Sequence, residues 1–119
     1  VPQKFKYAGI DVELSEGLQN QIQVEVNKLT SNPLHFQTMV QRANIYMPHI
    51  QSAFQMVGVP QELSFIAIQE SALVGDAVSV SNAVGFWQMK SFTALEVGLV
   101  VNTMVDERMH IFRASAGAA

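Results

Sequence analysis

Residues 66–90 read IAIQESALVGDAVSVSNAVGFWQMK, and this stretch decides the fold. Ile66, Ala67 and Ile68 lead up to a single carboxylate, Glu70. A loop of small and polar residues comes next, and then Gly85-Phe86-Trp87-Gln88-Met89. Leu63, Ile66, Ala67 and Glu70 recur at helical spacing and so share one face. Phe65 and Ile68 occupy other faces, and a short helix apolar nearly all round is a central one, packed on several sides. Glu70 is therefore expected to continue a packed face at a helix C-terminus, where the macrodipole is negative. Desolvation and that dipole both disfavour the charged carboxylate, so the side chain is expected to hold a proton near neutral pH, as a general acid must. A Glu at a helix end also commonly points to solvent or pairs with Lys or Arg, and that plainer reading stands beside the first.

The loop adds groups that suit a site. Ser71 can orient the carboxyl, while Ser79, Ser81 and Asn82 offer polar atoms to a sugar or to the loop itself. Gly85 admits the close approach of a backbone or a ligand. Phe86 and Trp87 are core residues or a sugar-stacking platform, with core expected for at least one. Gln88 is out of place in a purely apolar segment and predicts a hydrogen bond into the site. Asp76, the nearest acid after Glu70, reads as a loop residue facing solvent.

Working outward, residues 1–14 show no helical period and read as an extended arm. Residues 15–58 read as the N-terminal helices. Ser15 is an N-cap, and Leu18, Ile22, Val26 and Leu29 form one apolar stripe ending near Thr30. Phe36, Met39, Val40, Ala43, Met47, Ile50, Phe54 and Val57 form a second, longer stripe. Pro48 falls inside it and predicts a kink or break between Arg42 and Pro48. Gly58 is a C-cap. Residues 60–119 hold the motif region. Pro60 reopens helix, residues 83–98 predict one or two short helices, and Asp106 starts a last helix that runs toward Ala119. Arg42, Glu107 and Arg108 read as solvated or paired.

The bulk numbers bound the answer. The chain has 119 residues, 49% of them hydrophobic and 14% charged, which fits one folded domain over 1–119. A net charge of −3 with no basic stripe argues against nucleic acid as a partner. The absence of cysteine removes thiolate metal sites and disulfides. His35, His49 and His110 lack metal-ligand spacing. No apolar run approaches the ~20 residues that span a bilayer, and no signal peptide is visible. The chain begins at Val1 rather than Met, from which a removed N-terminal segment is expected.

Glu70-Ser71 together with Gly85-Phe86-Trp87-Gln88-Met89 resembles the soluble lytic transglycosylase family, whose lysozyme-like fold is shared with goose-type lysozymes. Ala77, Ser79, Asn82 and Ala83 fall where the family's loop pattern has them. Trp87 and YMPHI at 46–50 look most like its membrane-bound D-type branch, and VDERMHIFRA extends the likeness more thinly.

The resemblance implies an all-α, lysozyme-like domain of about five to six helices around a central buried helix ending at Glu70. It implies cleavage of the β-1,4 bond between N-acetylmuramic acid and N-acetylglucosamine in peptidoglycan. Glu70 acts as acid and then as base, closing the muramyl 6-hydroxyl onto C1 to give a 1,6-anhydro product. It further implies Ser71, Ser79, Gln88 and Met89 as substrate-binding residues, no metal and no cofactor. The location implied is the periplasm or cell envelope of a bacterium, with membrane association through an N-terminal anchor. The sequence departs from the family pattern in placing Glu107 and His110 where Pro and Asn are common. The family's downstream catalytic Tyr has no counterpart, because Tyr7 and Tyr46 both precede Glu70. A fragment or shortened relative is therefore expected. Two alternatives are a hydrolytic muramidase on the same fold, with Asp76 or another acid positioning water, and a non-catalytic module that binds cell-wall glycan.

Overall fold

A computed structural model describes residues 1–119. The chain opens not as a single arm but as a hairpin. Strand β1, Lys4–Tyr7, pairs antiparallel with β2, Ile10–Glu13. Lys4 faces Glu13 and Lys6 faces Asp11, each pair 3.4 Å apart in solvent. Ala8 and Gly9 turn the chain with φ of 51° and 79°, the left-handed pair that a two-residue hairpin turn needs. Ala8-Gly9 carries only half of the usual Asn-Gly signal, which is why the strands read as one extended piece. The Tyr7 hydroxyl donates to the Glu62 carbonyl at 3.3 Å and ties the hairpin to the rest.

Helix α1, Glu16–Thr30, starts where expected. The Ser15 hydroxyl accepts from the Leu18 amide at 3.3 Å. Its stripe of Leu18, Ile22, Val26 and Leu29 is present but uncovered, with no residue of α1 buried.

Helix α2, Pro33–Met56, has no break at Pro48, one of the two outcomes expected there. It runs through Pro48 as one helix of 24 residues. Proline in a helix interior costs about 3 kcal/mol. The turns on either side bury Met47, Ile50 and Phe54, each such side chain gaining roughly 1.5–3 kcal/mol. Breaking the stripe would forfeit more than the lost hydrogen bond. The helix closes on Gly58, φ +74°, whose amide donates to Gln55 while the Val59 amide donates to Phe54, a Schellman end.

A 3-10 turn over Gln61–Phe65 leads into α3, Ile66–Ser71. Ser64 and Ala67 are fully buried, but Phe65, Ile66, Gln69 and Glu70 face solvent. The helix is thus covered on one side, not all round. Helix α4, Ser91–Glu96, is the one helix within 83–98. Residues before it form short bridges, Val78 to Val84 and Val84 to Met89. The expected last helix is split. A 3-10 turn at Glu107–Met109 is followed by α5, Ile111–Ala118, whose N-cap His110 accepts from the Arg113 amide through Nδ1.

Met47, Ile50, Phe54, Ala67 and Leu73 make the main core, and Met89, Ala94 and Leu99 a smaller one. Trp87 packs against both and stacks on Phe54 at 5.4 Å between ring centroids. The fold is all-α apart from the hairpin.

Candidate functional site

Glu70 lies in the last turn of α3 and is exposed. It enters none of the five ion pairs. The dry setting expected from its spacing is absent: on the shared face Ala67 is buried and Leu63 half-buried, but Ile66 is 46% exposed and the covering stops short of Glu70. Helical spacing fixes which residues share a face, but not whether anything covers it.

The segment after Glu70 is tightly built. The Ser71 hydroxyl donates to the Phe86 carbonyl at 2.8 Å, lies 3.2 Å from the Ala67 carbonyl, and accepts from the Leu73 amide at 3.1 Å. It therefore fixes the end of α3 to the GFWQM turn, rather than orienting the Glu70 carboxyl as expected. Ala72 and Leu73 are left-handed, with φ of 51° and 60°. Each such non-glycine residue costs of order 1–3 kcal/mol and persists only when its surroundings over-determine it. Leu73 is 1% exposed, and its burial in the main core offsets its strain. The Arg42 guanidinium reaches the Ala72 carbonyl at 3.4 Å and steadies the same turn. Asn82 and Gln88 are also left-handed, so four of the five strained non-glycine residues lie in 72–88.

The expected substrate-binding side chains mostly serve this loop. Gln88 donates through Nε2 to the carbonyls of Ala77 and Gly85, both at 3.0 Å, closing the loop on itself. The Ser79 hydroxyl accepts from the Ala83 amide at 3.0 Å and lies 3.2 Å from Ser81 Oγ. The Met89 side chain is buried in the smaller core, and its backbone pairs with Val84. The side chain packs there, since a thioether fills core readily. Phe86 and Trp87 both turn inward: Phe86 meets Tyr46 edge-on at 4.9 Å, and the Trp87 indole donates to the Ser115 hydroxyl at 3.0 Å. Phe86 is buried, whereas Trp87 is only half-buried. Asp76 is exposed in the loop.

Gly85, φ +86°, is where two backbones touch. A Cβ there would lie 1.9 Å from the Arg108 carbonyl oxygen. Gly75 makes room in the same way for the Phe86 ring. Arg108, expected to be solvated or paired, is paired and also buried. Its guanidinium holds both Asp106 oxygens and donates to the Met89 carbonyl at 3.3 Å. That hydrogen bonding holds the Asp106 carboxyl below the usual aspartate range. Glu107 is also held low, first by the Val100 amide and further by Arg113. The weak signal for the buried pair was the i, i+2 spacing of Asp106 and Arg108, which does not suit a helix face. No three His, Asp or Glu side chains converge on one point.

Residues 47–119, which hold α3, the strained loop and the Asp106–Arg108 pair, match the family described as the Transglycosylase SLT domain. The chain belongs to that family. Over 114 residues it is 29% identical to the membrane-bound lytic murein transglycosylase D of Escherichia coli K12, covering 94% of this chain and 25% of that protein. The same figures hold for the protein of that name from the O6:H1 strain of Escherichia coli. The chain thus spans about a quarter of the length of these relatives.

Proposed function

We propose that this chain carries the acid of a peptidoglycan lytic transglycosylase, and that Glu70 is that acid. One observation carries the reading. Within the family-matched region, Glu70 is a solvent-facing carboxyl free of ion pairs, at the tip of a helix whose end is pinned to a strained loop. Rigid support beneath an open functional group is what a catalytic side chain needs.

In the reaction, Glu70 gives its proton to the glycosidic oxygen as the bond to C1 of N-acetylmuramic acid breaks. The muramyl 6-hydroxyl oxygen then bonds to C1, and its proton passes to the Glu70 carboxylate, which regenerates the acid. One carboxyl serves both steps, whereas ordinary glycosidases need two at a set separation. Glu70 is open to solvent, and the glycan laid across the end of α3 is what excludes water from it in the reaction. Ser71, Ser79 and Gln88 support that surface mainly by shaping the loop, and glycan contact comes from atoms the loop leaves free.

The openness of Glu70 also favours a second reading, in which water takes the place of the 6-hydroxyl and exposed Asp76 positions it. Products separate the two: 1,6-anhydromuramyl ends support the transglycosylase, and reducing ends support the hydrolase. Peptidoglycan as partner places the protein at the bacterial cell envelope. No helix of this chain is long and apolar enough to cross a membrane. The test is Glu70→Gln in the full-length protein, with release of anhydromuramyl products as the readout; loss of release is expected, and retained release would refute the assignment.

A further inference from the structure

Arg108 is the one charged side chain that is buried, 7% exposed, and the proposed reaction makes no use of it. A buried guanidinium is costly unless its donors find acceptors. Here Nε and one terminal nitrogen grip the two Asp106 oxygens at 2.8 and 2.6 Å. This is a planar fork that lysine cannot reproduce. The other terminal nitrogen donates to the Met89 carbonyl at 3.3 Å. Met89 pairs with Val84 in the bridge that brackets the Gly85–Gln88 turn. The Arg108 carbonyl presses on that same turn at Gly85, where only hydrogen fits. On its far side the turn offers the Phe86 carbonyl to Ser71, the residue after Glu70. Contacts therefore run unbroken from Asp106 through Arg108, the turn and Ser71 to the end of α3.

The turn and the helix end are both strained, at Gln88 on one side and at Ala72 and Leu73 on the other. Such conformations need restraint from outside. The fork supplies it to the turn from the C-terminal segment. A stability role alone would not require a charge pair there, because an apolar residue of similar size often serves as well.

We propose that Arg108 and Asp106 are positioning residues for Glu70: their fork clamps the Gly85–Met89 turn, and the turn, through Ser71, sets where α3 presents the Glu70 carboxyl. The proposal rests on Glu70 being the acid. Neither Arg108 nor Asp106 touches the glycan.

The test uses the full-length protein and purified peptidoglycan. Asp106→Asn is made alone and with Glu70→Gln. The readouts are kcat, KM, melting temperature and amide hydrogen exchange over residues 84–89. Asp106→Asn is expected to lower kcat at least tenfold at a temperature where the variant is fully folded, with KM within about twofold. Exchange at Gln88 and Met89 quickens, and no further loss of kcat appears in the Glu70→Gln background. Arg108→Lys keeps the charge but not the fork; it is expected to behave the same way and carries the test if Asp106→Asn does not fold. A wild-type kcat in the folded variant, or a loss that only tracks the unfolded fraction, overturns the clamp while leaving the acid assignment standing. Full turnover by Glu70→Gln alone overturns the acid assignment, and the clamp with it.

Discussion

The hydroxyl of Ser71 and the carbonyl of Phe86, 2.8 Å apart, join the end of the helix bearing Glu70 to a turn 15 residues further along the chain. Phe86 is buried, so its carbonyl has no ready substitute in water. Ser71→Ala leaves that carbonyl and the Leu73 amide without this partner. A loss of about 1–3 kcal/mol is expected. It should appear as a lower urea midpoint with unchanged slope, and turnover should fall as the end of α3 loosens.

Gly85→Ala meets two obstacles at once. The site has φ +86°, and the new methyl would lie 1.9 Å from the Arg108 oxygen, a backbone atom that cannot swing aside. Strain and overpacking together make a loss of at least about 2 kcal/mol the expected outcome, checked by equilibrium unfolding. A variant as stable as the parent would mean that the two backbones do not meet there.

Trp87→Phe separates packing from sugar stacking. Ser115 is fully buried, and its hydroxyl oxygen accepts a hydrogen bond from the indole N–H at 3.0 Å. Losing that donor costs about 1–3 kcal/mol, and the smaller ring fills less of the space between the two cores. Stability should drop while KM for peptidoglycan stays unchanged; a raised KM at intact stability would return the indole to the binding surface.

Acid should loosen the C-terminal segment. The Arg108 fork holds Asp106 below its ordinary value, so around that value the unfolded chain binds more protons than the folded one. The stabilisation is complete above the unfolded value of about 3.9 and is lost as pH falls through the lower folded value. Glu107, lowered by the Val100 amide and by Arg113, acts with the same sign. Urea midpoints tracked between about pH 2 and pH 6 should fall on the acid side, and Asp106→Asn should flatten that limb.

Local signals made much of this legible before any coordinates. Ser15, Gly58 and the apolar stripes announced the helices because caps and periodicity act over a few residues. Glu70-Ser71 and Gly85-Phe86-Trp87-Gln88-Met89 marked the region that matches the family. What the sequence hid was the environment. Nothing in the spacing of Leu63, Ile66 and Glu70 says whether another element covers that face. Pro48 looked like a kink or break because the burial of Met47, Ile50 and Phe54, which keeps α2 whole, is a tertiary gain. Gln88 looked like a ligand-facing amide, but its partners, Ala77 and Gly85, are supplied only once the loop has closed. Arg108 read as solvated or paired, and it is paired; its burial was hidden because its acceptor at Met89 lies 19 residues away.

Glu70→Gln tests the central claim most directly. The substitution keeps size and shape and removes only the proton that is to be given and taken back. In the full-length protein acting on purified peptidoglycan, with muramyl ends resolved by mass, release of 1,6-anhydromuramyl products should fall by a factor of about 10² or more, while glycan binding persists. Release at the parent rate would contradict the account.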